Sequence, residues 1–227
     1  MPSPEEKFAA LTADIIGSRK LKDQGFSRNQ IDKAISQLNT AREAFIASKF
    51  CLLRGDEIQG VVFPPREAIV MVRYLRFYLR PVQIRVGIGI GDITTEIDKN
   101  NPWNMDGSSF HRAREALEEI KLSRHPATFM NSLEEDFDYN LNVILALMDV
   151  ISNRWTDGQW EAIHAYEQMG TYQKASQVLK VRPQNVAKRC QSAHWKVFSE
   201  AEKHIQKLID LKFPAGEEEK TGWNSPG

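Results

Sequence analysis

Only two cysteines occur in 227 residues, and they stand far apart, at Cys51 and Cys190. Zinc frameworks need ligands in close pairs, so this spacing excludes one and reads as two reduced thiols. Net charge is missing too. The 30 basic residues balance 30 acidic ones, so any nucleic-acid surface has to be a local patch. No apolar run is long enough to span a bilayer, and the start MPSPEEKF has no signal-peptide core. The expectation is a cytoplasmic chain with no membrane partner. Hydrophobic residues at 41 % and charged residues at 26 % are ordinary proportions, which exclude a chain too polar to fold.

What is present begins with FAALTADIIGS. An apolar run from Phe8 to Ile16 carries one carboxylate, Asp14, just before Gly17. Burying a lone carboxylate costs several kcal/mol or more, so Asp14 requires a partner. Ser27 and Gln30 then have capping-box spacing, and Ile31, Ile35, Leu38, Ala41 and Phe45 follow a helical stripe. Two short apolar runs joined at Gly55-Asp56 predict a hairpin. Pro65 is placed to open a helix, with Ile69, Val72, Leu75 and Leu79 on one side. In PVQIRVGIGIGDI, Val82 to Ile90 alternate onto one face, while Gln83, Arg85, Gly87, Gly89 and Gly91 share the other. The glycine face has two readings, a helix crossing the sheet closely, which is the favoured one, or a close contact with a ligand.

The order strand, helix, hairpin, helix, strand predicts an α+β fold, a ferredoxin-like or palm domain over residues 1–130. After a long loop, SSFHRAREALEEIK gives a core stripe of Phe110, Ala113, Leu117 and Ile120, leaving His111, Arg114 and Glu118 facing elsewhere. ATFM is a candidate edge strand. Residues 131–212 read as entirely helical. Leu141, Ile144, Leu145, Met148 and Ile151 form one stripe, and Thr156 with Gln159 repeats the capping box of a helix ending at Gly170. One long final helix is predicted from Pro183, burying Val186, Cys190, Ala193, Val197, Ala201, Ile205 and Leu208. Residues 213–227 read as a disordered tail.

In a palm sheet the hairpin lies beside the first strand, which would bring Asp14 and Asp56 together. Two unit charges about 5 Å apart repel by roughly 3 kcal/mol at an effective dielectric near 20. A divalent cation such as Mg²⁺ or Mn²⁺ removes that conflict, with the Ile15 carbonyl as a third donor. Gly17 and Ser18 would offer backbone donors to a phosphate, with Arg19 beside them. The plainer alternative satisfies Asp14 with Arg19, Lys20 or a backbone turn, and leaves Asp56 as a polar turn residue.

TADIIGS, RGDEIQGVVF, RVGIGIGDI and DGSSFHRARE, taken in order, resemble the motif series of class III nucleotidyl cyclase domains over about residues 7–122. More closely, nearly the whole chain resembles the SatD family, which pairs such a segment with a helix-turn-helix-like end. The cyclase resemblance implies that Asp14 and Asp56 hold metal with ATP or GTP as ligand. Where cyclases carry Asn and, four residues on, Arg, this chain has His111 and Glu115, with Arg114 displaced by one. Glu115 puts negative charge where a phosphoryl group needs positive, so the expectation is a non-cyclising domain. The alternative is an active nucleotidyl cyclase or nucleotidyltransferase using two-metal chemistry, with His111 and Arg114 as the catalytic candidates.

From Thr171 to Ser199 there is no acidic residue, and the basic residues are Lys174, Lys180, Arg182, Lys188, Arg189 and Lys196. TYQKASQVLK, then VR, then PQNVAKRCQSAHWK, resembles the helix-turn-helix of sigma factors and response regulators. Ala175 is small where the helices would cross, and Val181 and Val186 would anchor the turn and second helix. Gln184, Asn185 and Lys188 are candidates for base contacts in double-stranded DNA, and Lys174, Arg182 and Arg189 for phosphates. A homodimer is expected, in which ligand binding would shift the mutual arrangement of the palm domains and so reposition the helix-turn-helix ends.

Overall fold

A computed structural model describes residues 6–18, 27–53 and 55–215. Strands β1 (Phe8–Ile15), β2 (Ile46–Leu52), β3 (Glu57–Val62), β4 (Ile84–Gly91) and β5 (Thr128–Asn131) form one sheet in the order β2-β3-β1-β4-β5. β2, β3, β1 and β4 are antiparallel neighbours, and β5 adds parallel to β4. The fold is thus α+β, with ATFM as the edge strand.

Three helices belong to the sheet. α1 (Arg28–Ala41) starts where the Gln30 side chain accepts from the Ser27 amide at 2.8 Å. It buries Ile31, Ile35 and Leu38. α2 (Ala68–Leu79) follows a 3-10 turn at Pro65–Glu67 and is buried nearly all round, Arg73 and Arg76 included. The face made by Ala9, Leu11, Ala13, Ile84, Val86, Ile88 and Ile90 belongs to the main core. α3 (Ser108–Ile120) lies on the opposite face. A Cβ at Gly87 would strike the Ala113 carbonyl oxygen, and one at Gly89 the Ser109 carbonyl oxygen. The glycine face therefore exists because a helix backbone rests on it.

The remaining helices are α4 (Glu135–Ser152), α5 (Asp157–Met169), α6 (Tyr172–Leu179), α7 (Pro183–Ser192) and α8 (Trp195–Lys212). α5 begins with Thr156 accepting from the Gln159 amide and ends at Gly170, whose φ of 73° is left-handed. One hydrophobic cluster runs from the sheet through α2 into Leu141, Leu145, Trp160, Val186, Phe198 and Ile205. β5 and α4 carry the chain across the boundary expected at 130.

The predicted single final helix is two. His194 takes φ of 53° and ends the run. The indole of Trp155 donates to the freed Ala193 carbonyl at 2.8 Å. The turn restarts the periodicity, so α8 buries Trp195, Phe198, Glu202, Ile205 and Ile209, and Val197 is left 60 % exposed. The expected tail lies outside the described residues from position 216 onward.

Candidate functional site

Strand register builds one end of the sheet. Asp14 stands opposite Arg85 on β4 and opposite Glu57 on β3. Directly opposed residues point to the same side, so Glu57, Asp14 and Arg85 form a row. Arg85 Nη2 lies 2.9 Å from Asp14 Oδ2, with the side chains 12 % and 25 % exposed respectively. The partner that Asp14 required is therefore Arg85. Arg19 lies outside the described residues. Asp56 is one step beyond, at the hairpin, where its carbonyl accepts from the Ile15 amide at 3.3 Å.

The electrostatics of this row are strained toward negative. Burial pushes the Asp14 carboxyl above its usual range, Arg85 pulls it down, and Asp56 and Glu118 push it up again. Glu57 is raised for the same first reason, burial, with Arg114 opposing and Asp14 and Asp56 adding to it. Glu57 Oε1 and Arg85 Nε are buried without a hydrogen-bond partner among the described residues.

Such a set fits a hard cation in charge and donor type. Asp14, Asp56 and Glu57 are oxygen donors that repel one another, and one carries a buried oxygen with no bond. Among the described residues no three His, Cys, Asp or Glu side chains already close on one point, so an ion would have to draw the carboxylates inward. Gly17 follows at φ of 69°, exposed, with Ser18 half-buried beside it. Glu57 was missed in the sequence, although it directly follows Asp56 and begins β3.

The catalytic candidates do not meet at a common point. His111 Nε2 lies 3.3 Å from Asp106 Oδ1, both side chains 65 % exposed. Arg114, exposed on α3, acts electrostatically on Glu57. Glu115 accepts from Asn131 at 2.9 Å.

At the other end of the chain, α5, α6 and α7 pack against one another. A three-residue turn, Lys180 to Arg182, joins α6 to α7, with Lys180 left-handed at φ of 54°. Thr171 caps α6 by accepting from the Lys174 amide at 3.2 Å. Ala175, Val186 and Cys190 face inward, fully or almost fully buried. Lys174, Arg182, Gln184, Asn185 and Lys188 are exposed, and Arg189 is half-buried over Gly158 at the start of α5.

Between these two ends lies a set of buried arginines. Arg73 on α2 bonds Glu202 on α8 at 2.9 and 3.0 Å and Glu167 on α5 at 2.5 and 2.8 Å. Arg76 bonds Asp149 on α4 at 2.5 Å and Thr128 on β5 at 3.0 Å. Helical periodicity places both among the apolar stripe of α2, and nothing local in the sequence marks their partners.

The family model described as SatD family matches residues 8–209. A comparison with curated proteins gives no match. Among the described residues, no helix is long and apolar enough to cross a membrane.

Proposed function

The chain belongs to the SatD family, and from that premise we propose a DNA-binding regulator whose sheet module binds a divalent cation and, with it, a nucleotide. The observation that carries the DNA half is the outward face of α7. Gln184, Asn185 and Lys188 stand exposed on a helix whose opposite side, Val186 and Cys190, is anchored in the core. A polar helix face held rigidly by its apolar side suits the major groove, where Gln and Asn pair bidentately with adenine. Lys174 and Arg182 flank it and suit phosphates, with Arg189 set behind them. The test is selection of duplexes from a randomised library. Enrichment of a sequence by the wild type, lost in the double variant Gln184→Ala/Asn185→Ala, supports the reading. Failure to retain any duplex at low salt would remove it.

The strand order β2-β3-β1-β4, antiparallel throughout, supports a ferredoxin-like palm for the sheet module. Asp14, Asp56 and Glu57 would hold Mg²⁺ or Mn²⁺, and Gly17 and Ser18 would meet the phosphates of ATP or GTP. The cation supplies charge neutralisation for both. The chain's own part is to hold the carboxylates at one sheet end, with Arg85 fixing the orientation of Asp14. His111, Arg114 and Glu115 face separate partners, which favours binding over cyclisation. Thermal denaturation with Mg²⁺ and ATP or GTP tests it. Stabilisation that Asp56→Asn removes is the expected result, and identical curves with and without ligand would contradict it.

A further inference from the structure

α4 has two apolar stripes where one would suffice. Leu141, Leu145 and Met148 are buried in the core. Tyr139, Val143, Leu147 and Val150, again at helical spacing, are 71 %, 47 %, 62 % and 55 % exposed. From Tyr139 through Asn153 the one charged residue is Asp149, and it is buried against Arg76. The apolar surface continues sideways. Phe137, Val143 and Ile144 of α4 and His204 and Leu208 of α8 line a groove of about 660 Å³, and Leu211, one turn on from Leu208, is 72 % exposed. Scattered exposed apolar residues need no explanation, but a contiguous charge-free helical face does.

We infer that this face is a homodimer interface, in which α4 packs antiparallel against α4 of a second copy about a two-fold axis. The choice of a second copy rests on self-complementarity. The stripe is centred between Val143 and Leu147, so antiparallel pairing about that centre sets Val143 on the partner's Leu147 and Tyr139 on the partner's Val150. The same registration sets exposed Arg154, just past the end of α4, beside the partner's Glu135 and the partner's Asp136 at its start. The two ends of one helix are thus opposite in charge, and only an antiparallel copy satisfies both at once. An 18-residue helix is about 27 Å long and about 10 Å wide, so even with the flanking end of α8 the face is of the size of weak, concentration-dependent interfaces, below about 1,200 Å² in total. A parallel arrangement would set acid on acid.

The dimer does not depend on DNA or nucleotide binding, so it is tested on the protein alone. Sedimentation equilibrium at about 100 µM should give twice the 26.0 kDa chain mass for the wild type. Leu147→Glu should give the single-chain mass with an unchanged circular dichroism spectrum, since this side chain is mostly exposed and its loss leaves the core intact. Arg154→Glu should weaken association at least tenfold, and adding Glu135→Lys and Asp136→Lys to it should restore affinity. A monomeric wild type, or a dimer indifferent to Leu147→Glu, would overturn the inference. A dimer broken by Leu147→Glu that the combined charge swap fails to restore would overturn the antiparallel arrangement.

Discussion

Asp14 and Arg85 face each other across β1 and β4, 2.9 Å apart, with Glu57 on the far side of Asp14. The guanidinium is what allows a second carboxylate in the same row. Arg85→Gln removes it and leaves two raised, mutually repelling acids. For a pair intermediate between exposed and buried, the cost is about 2 kcal/mol, read from urea denaturation midpoints. Mg²⁺ should recover more stability in this variant than in the wild type. No destabilisation at neutral pH would show that Arg85 is dispensable to the row.

The cation binding proposed at that row should strengthen as pH rises. Asp14 and Glu57 are both raised above their usual range, first by burial, so the native state holds their protons more tightly than the unfolded chain. Without metal, their contribution is most favourable at low pH and is lost as pH rises through the raised values. A cation must displace those protons. The shift in midpoint temperature caused by Mg²⁺ is therefore expected to be smallest in the ordinary carboxylate range and to grow as pH rises above it. The opposite trend in a calorimetric pH series would place the ion elsewhere.

Arg73 ties the sheet module to the helices. Burial alone would lower its pKa, but Glu202 and Glu167 push it up, so it stays charged. Arg73→Met leaves both carboxylates without their cation and should cost about 3–5 kcal/mol. Arg73→Lys should recover only part of this, because an ammonium cannot grip two carboxylates with a planar fork. Chemical denaturation of the three proteins gives the comparison.

His164 on α5 stacks on Phe77 of α2 with ring centroids 3.9 Å apart. Burial, with Arg73 and Arg80 adding, lowers its pKa to about 4. The unfolded chain binds this proton more readily between about pH 6.5 and the native value, so stability rises with pH across that window. Acidification from about pH 6.5 to about pH 4 should remove on the order of 2 kcal/mol through this group. His164→Phe should flatten that part of the stability profile, and an unchanged slope would assign it to other groups.

Periodicity and turn chemistry made most elements legible. The GIGIG alternation announced a strand with a helix on its bare face, and Ser27-Gln30, Thr156-Gln159 and Gly170 marked helix ends that the backbone obeys. The break at His194 was not legible, because a non-glycine residue in a left-handed turn follows from packing of Trp155 and Trp195 around it, which no local pattern encodes. Asp14 was recognisable as a carboxylate in need of a partner. Arg85 was not recognisable as that partner, since cross-strand register is a tertiary property and the arginine sat in a run explained by its glycines. Arg73 and Arg76 were hidden for the same reason, their acids lying on helices far along the chain.

The DNA-reading role proposed for α6 and α7 is tested most directly by fluorescence anisotropy of a selected duplex at several salt concentrations. Three phosphate candidates, Lys174, Arg182 and Arg189, predict that log K falls against log salt with a slope of about −3 per chain. Arg182→Ala should reduce that slope by about one without changing the preferred sequence, whereas Asn185→Ala should relax sequence preference and leave the slope intact. Binding that is absent at low salt, or whose slope ignores Lys174, Arg182 and Arg189 alike, would contradict the account.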